Sequence, residues 1–237
     1  VVSDRASLYA ERIDASRIAF SATATASTDG LNLHQSTPHA LTWSAGRHDT
    51  GYTHSNTNAA ITFDASGDYL AFLNVPLTVA SPEPADQWQQ RHAVKVSVRV
   101  NGAPVPGGVG NQGYIRWANG HTNASVHWSG PLVGITGGDV LTVTCEAATT
   151  NTSMIAIGPG AAEASLFIDR VPSAAPVYAT RGRAVSGGID WARPTADAIA
   201  WTNDTRIDTG TYTHSTATNA HQVLADLSGD YLLVYND

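Results

Sequence analysis

Lysine is almost missing from this chain. Thirteen of its 237 residues are Lys or Arg, and Lys95 is the single lysine. Charged residues make up 14% of the sequence, well below the roughly 25% of an average soluble domain. The net charge is −7 and no basic run occurs. That balance argues against a phosphate-binding face, since nucleic-acid binders cluster Lys and Arg on one surface. Cys145 is the only cysteine, so no internal disulfide can form. No run of apolar residues approaches the length of a membrane-crossing helix, so no membrane insertion is expected. No signal peptide is visible at Val1, an absence of little weight because the first residue falls inside a repeat.

What is present is a repeat, and the chain is out of phase with it. Residues 6–21 align without a gap on 164–179, with Ala6 matching Ala164, 158 positions apart. The same offset carries Phe20 to Tyr178 and Trp43 to Trp201. Further on, DTGYTHS at 49–55 matches DTGTYTHS at 208–215, and ASGDYLAFLN at 65–74 matches LSGDYLLVYN at 227–236. The sequence therefore predicts tandem repeats of about 158 residues. Residues 1–13 are expected to be the closing strand of a preceding unit. Residues 18–171 form one complete domain, 172–176 a short junction, and 177–237 the first half of a second domain. Half a sandwich leaves strand edges unpaired and a core face wet. The expectation is that another chain, or sequence beyond this one, completes it.

The hydrophobic period is two almost throughout. AVKVSVRV at 93–100 sets Val94, Val96, Val98 and Val100 on one face and Lys95, Ser97 and Arg99 on the other. Asn101-Gly102 follows, a hairpin turn signal because both residues tolerate positive φ. Gly67-Asp68 and Gly138-Asp139 introduce apolar strands. Leu141, Val143 and Cys145 alternate onto one strand face, which reads Cys145 as a buried apolar residue. Short helical stretches are expected only near 85–91 and 190–192. An all-β sandwich or closed barrel follows from many short strands with Gly, Pro and Asn turns.

The order of features in the complete unit resembles the jelly roll of the tumour-necrosis-factor and complement globular-head superfamily. The residues that carry the resemblance are an early aromatic strand at 18–23, the Trp-led segment from 40, and GDYLAFLNV. VSVRVNG, GYIRW, the Gly138-Asp139 turn and the closing ASLFIDRV complete it. The resemblance implies an antiparallel jelly-roll sandwich and self-association, commonly as a homotrimer around an apolar seam.

Trp43, Asp49, Tyr52, His54, Gly67, Asp68 and Tyr69 recur as Trp201, Asp208, Tyr212, His214, Gly229, Asp230 and Tyr231. Two readings apply. They line a glycan groove in every repeat, or they make turns and fill the core; aromatics with one polar end suit the second role. Trp88, Tyr114, Trp117 and Trp128 lie in or near expected loops, where they could stack on sugars. No cofactor or metal is expected. His48 becomes Ile207 in the second copy, and His121 and His127 have no Cys or carboxylate at ligand spacing. Gly108-Val109-Gly110-Asn111-Gln112-Gly113 fits G-x-G-x-x-G but lacks the βαβ setting that motif needs, so it reads as a loop between strands. No catalytic constellation converges, so no enzyme is expected. The sequence points to a structural or adhesive repeat protein at a cell or virion surface, extracellular, building a fibre or filament with copies of itself. The alternative is a lectin-like module for surface glycans, and behind it a polysaccharide-active enzyme.

Overall fold

The computed structural model describes residues 19–23, 31–32, 37–44, 48–49, 51–79, 91–116, 123–148, 156–158, 164–172, 178–182, 201–207, 212–215, 217–218 and 222–226. Every regular element among them is a strand. Eight build the sandwich between residues 19 and 170: β1 (Ala19–Thr23), β2 (Ile61–Phe63), β3 (Gly67–Val79), β4 (Arg91–Val100), β5 (Ala103–Arg116), β6 (Asn123–Ile135), β7 (Val140–Ala147) and β8 (Ser165–Arg170).

Their pairing is nested. β1 pairs with β8, β2 with β7, β3 with β6 and β4 with β5, all antiparallel. β8 also pairs with β3, and β7 with β4. The larger sheet therefore runs β1-β8-β3-β6 and the smaller β2-β7-β4-β5. A long hairpin wrapped on itself gives this order, and it defines a jelly-roll sandwich. Short strands extend the sheets: His48–Asp49 lies beside β1, Ala156–Gly158 and Leu31–Asn32 extend the β3 side, Tyr52–His54 pairs with β2, and His39–Ala40 with β7.

The inner faces of both sheets meet in one core. Phe20, Ala71, Leu73, Val75, Val126, Trp128, Leu132, Leu166 and Ile168 come from the larger sheet. Ile61, Phe63, Val94, Val96, Val98, Leu141, Val143 and Cys145 come from the smaller. Cys145 is fully enclosed, and burial pushes its thiol up to about 12, so the thiolate is not populated at neutral pH. Lys95 and Glu146 sit opposite each other on β4 and β7, and Lys95 Nζ donates to Glu146 Oε1 at 2.5 Å.

The G-x-G-x-x-G stretch is not a loop, contrary to the sequence reading. It lies within β5, paired to β4 as far as Arg116. Two physical reasons account for this. β5 ends the smaller sheet, and an edge strand tolerates Pro104 and Pro106 because their missing N–H groups can face outward. Gly113 packs so closely that a Cβ would come within 2.3 Å of Leu77 Cδ1. The expected helical stretch near 85–91 meets strand at Arg91; its other residues, and 190–192, lie outside the described residues.

The turn between β4 and β5 is Asn101-Gly102, with φ of 51° and 76°. Asn101 is held from several sides. Its Nδ2 donates to Asp139 Oδ1 at 2.7 Å, and Val140 N–H donates to its Oδ1 at 2.9 Å. Asp139 Oδ2 accepts from Thr136 N–H at 2.8 Å. The Thr136 amide and then the Asn101 side chain hold the Asp139 carboxyl below its ordinary value. A lowered carboxyl pKa stabilises the fold above the unfolded pKa, and that contribution is lost as pH falls through the folded value. Asn101→Ala should lower the urea midpoint at pH 7, because alanine resists positive φ and offers neither bond. The gap from wild type should narrow as acid protonates Asp139, as denaturation at pH 7 and pH 3 will reveal.

Candidate interaction surfaces

The recurring residues of the complete unit are mostly interior. Trp43 and Tyr69 are fully buried and Tyr52 nearly so. Trp43 N–H donates to Asn58 O at 2.9 Å, and Thr57 N–H donates to Trp43 O at 2.8 Å, which pins a loop around the indole. Tyr52 packs on Phe20, Phe63 and Tyr69 with centroids 5.6, 5.5 and 6.0 Å away. Burial, then the neighbouring Tyr69, pushes its phenol pKa far up. His54 meets Phe20 edge-on at 5.5 Å, and its Nε2 lies 3.2 Å from Asn58 O. Asp68 Oδ1 accepts from Gly134 N–H at 2.8 Å, and Tyr69 Oη donates to Ala65 O at 2.6 Å. Gly67 makes room for Arg170, whose Nε would lie 2.8 Å from any Cβ added there. Trp43, Tyr52 and Tyr69 thus fill the core and line no groove. The backbone of Asp49 pairs with Phe20.

The second copy repeats the local geometry. Tyr52–His54 pairs with β2 as Tyr52↔Phe63 and His54↔Ile61. Tyr212–His214 pairs with Val223–Ala225 as Tyr212↔Ala225 and His214↔Val223. Thr53 Oγ1 donates to Asp64 at 2.8 Å, and Thr213 Oγ1 donates to Asp226 at 2.7 Å. The surroundings differ. Ile61 and Phe63 are fully buried, whereas their counterparts Val223 and Ala225 are exposed. Trp201 and Tyr212 are half-buried, and His214 Nδ1 lies 3.0 Å from Asp204 Oδ2. Asp208, Gly229, Asp230 and Tyr231 lie outside the described residues.

Of the four aromatics assigned to sugar stacking, Trp88 and Trp117 lie outside the described residues. Tyr114 stands on β5, 49% exposed. Trp128 is not in a loop but in β6, buried, with Nε1 donating to Gly107 O at 2.9 Å. Its ring face is therefore closed to a ligand. Among the described residues no group of three or more His, Cys, Asp or Glu could hold a metal ion. Among the described residues no helix is long and apolar enough to cross a membrane.

Sequence reasoning missed one surface. Phe72 points out of the larger sheet, 37% exposed, between the buried Ala71 and Leu73. It faces Phe167 across the β3–β8 pair, with ring centroids 6.2 Å apart. Leu70 and Pro131, paired across β3 and β6, flank it on the same face and are half-buried. The signal was in GDYLAFLNV, which has large apolar residues on both faces where a solvent-facing strand would alternate with polar ones.

The described strands between residues 19 and 170 form an antiparallel jelly roll, as their pairing defines. Solved structures similar to it include the globular domain of zebrafish complement 1qA protein, at 13% identity and a TM-score of 0.44, covering 66% of this chain and 98% of that one. Eiger, a TNF from S. frugiperda, is similar at 14% identity and a TM-score of 0.43, covering 67% and 95%. Murine APRIL follows at 12% and 0.39, covering 64% and 97%. No family model and no curated protein matches the chain in sequence.

Proposed function

We propose that this is a non-enzymatic structural or adhesive protein of an extracellular or virion surface, whose jelly-roll units associate side by side with copies of themselves. The outward Phe72–Phe167 pair carries this reading. Contiguous apolar surface on the outer face of a sheet is a mark of interaction sites. The repeat supplies the occupant. Leu70, Phe72 and Phe167 correspond to Leu232, Val234 and Tyr9, so the outward positions remain apolar or aromatic in each copy. A face that recurs unit by unit suits a partner that recurs unit by unit, and a second copy of the chain is such a partner. Its low charge and single lysine leave few like-charge penalties to lateral packing.

Phe72→Glu tests it. The wild-type chain should sediment as a lateral oligomer and the variant as smaller species, with unchanged circular dichroism. Wild-type chain that never associates through this face, or a variant that associates equally well, overturns the reading.

The exposed Tyr114 supports a second reading, a glycan-binding module. A tryptophan fluorescence titration with oligosaccharides that saturates, and that Tyr114→Ala weakens, would favour it.

A further inference from the structure

We propose that the outer wall of the smaller sheet binds an acidic glycan, a sugar chain carrying carboxylates, with the Tyr114 ring as its platform. This rests on the glycan reading of Tyr114 given above, and adds to it the charge of the ligand and the strands that hold it.

Alternation sets the wall. Val94, Val96 and Val98 are buried, so Ala93, Lys95, Ser97 and Arg99 turn outward from β4. Across one ladder, Thr142, Thr144 and Glu146 of β7 stand opposite Arg99, Ser97 and Lys95. Across the other, Tyr114 of β5 stands opposite Ala93, next along the strand from Lys95 on this face. A Cβ on Gly113 would run into Leu77 and Val126, which turns that position inward and its neighbour Tyr114 outward. The Tyr114 ring is half open to solvent.

Charge is segregated on the same two strands. The chain has a net charge of −7, yet β4 and β5 hold Arg91, Lys95, Arg99 and Arg116 and no Asp or Glu. The register sets Arg116 opposite Arg91. Strand pairing thus gathers cations that no run in the sequence displays. An anionic partner complements such a hairpin in an otherwise acidic chain.

The details select a glycan among anions. Lys95 and Arg99 lie four residues apart on one strand, about 13 Å. A nucleic-acid strand carries a phosphate roughly every 3.4 Å, so widely spaced cations suit a polymer of sparser charge. Glu146, bonded to Lys95, adds an acceptor to the wall. It can take hydrogen bonds from sugar hydroxyls, and it repels closely spaced phosphates. Arg99 is held in place, with Nε donating to Thr144 Oγ1 at 3.3 Å and Nη1 to Gly102 O at 2.9 Å. A guanidinium fork matches a carboxylate. Between the two cations lies Ser97, enclosed, its Oγ without a hydrogen-bond partner among the described residues. That state costs free energy, which an arriving polar group recovers once the flexible Lys95 or Arg99 side chain swings aside. A phenol, apolar on its face and polar at its tip, suits a sugar ring.

The test is calorimetric titration of the 237-residue chain with oligogalacturonate and with its methyl ester, which has the same sugars and no charge. The acid should bind saturably, and the ester at least about tenfold more weakly. Added salt should weaken the acid. Tyr114→Ala should weaken it by about tenfold or more. Lys95→Gln should weaken it about threefold, and Glu146→Gln, which frees the amine, should tighten it about threefold. Those opposite signs separate an electrostatic role from a structural one, and an unchanged thermal transition serves as the folding control. If acid and ester bind equally and Tyr114→Ala weakens both, the glycan reading stands and the acidic ligand is overturned. If neither binds, both fall. Lys95→Gln and Glu146→Gln moving affinity in the same direction overturns the proposal, and so does an oligothymidylate that binds as tightly as oligogalacturonate.

Discussion

Trp43→Ala should lower the free energy of unfolding of the complete unit by about 3–5 kcal/mol. The indole is fully buried, and its backbone exchanges hydrogen bonds with Asn58 and Thr57, so the loop around it has little freedom to collapse into the void. A domain of this size is stable by only about 5–15 kcal/mol, so the variant should melt far earlier or fail to accumulate. Trp43→Phe should lose much less, because most of the ring volume stays. Urea denaturation followed by circular dichroism measures both. A loss under about 1 kcal/mol for alanine would mean that the ring does not hold the core together.

Leu141→Asp should be worse at neutral pH. Leu141 is fully buried in β7, level with Ile61 on β2 and Val100 on β4. A carboxylate there would have apolar neighbours, and burying an unpaired charge costs several kcal/mol. The group would escape by staying protonated, which raises its folded pKa above the unfolded value of about 3.9. The sign follows: the folded state then binds the extra proton, so the variant gains stability as pH falls towards the unfolded pKa. Leu141→Asp should be largely unfolded at pH 7 and recover part of its structure near pH 4. Leu141→Met, nearly equal in volume, should cost under about 1.5 kcal/mol. An aspartate variant equally stable at both pH values would show that position 141 reaches water.

Much of this fold was legible because antiparallel strands with one wet face announce themselves. Val94, Val96 and Val98 alternate inward as their spacing predicts, and Asn101-Gly102 makes the turn its positive φ values require. The errors have a common cause. Residues that usually break strands were read as loops. Ser129-Gly130-Pro131 interrupts the pattern around Trp128, yet β6 runs through all three, and Val126, Trp128 and Leu132 still alternate inward. Gly108–Gly113 reads as a loop once the βαβ setting is missing, although a glycine is what close packing over β5 demands. For the surface, period alone was blind. GDYLAFLNV has large apolar residues on both faces, and only the burial of Ala71 and Leu73 against the exposed Phe72 shows which face is outside.

The Lys95–Glu146 pair has a practical corollary. Lys95 points away from the core on the smaller sheet, and Phe72 points away from it on the larger one. Among side chains, Lys95 is the one amine that an acylating reagent can reach, 30% open to solvent. A tether coupled through that side chain would hold the sandwich by its smaller sheet, with the aromatic wall turned towards whatever is flowed past it.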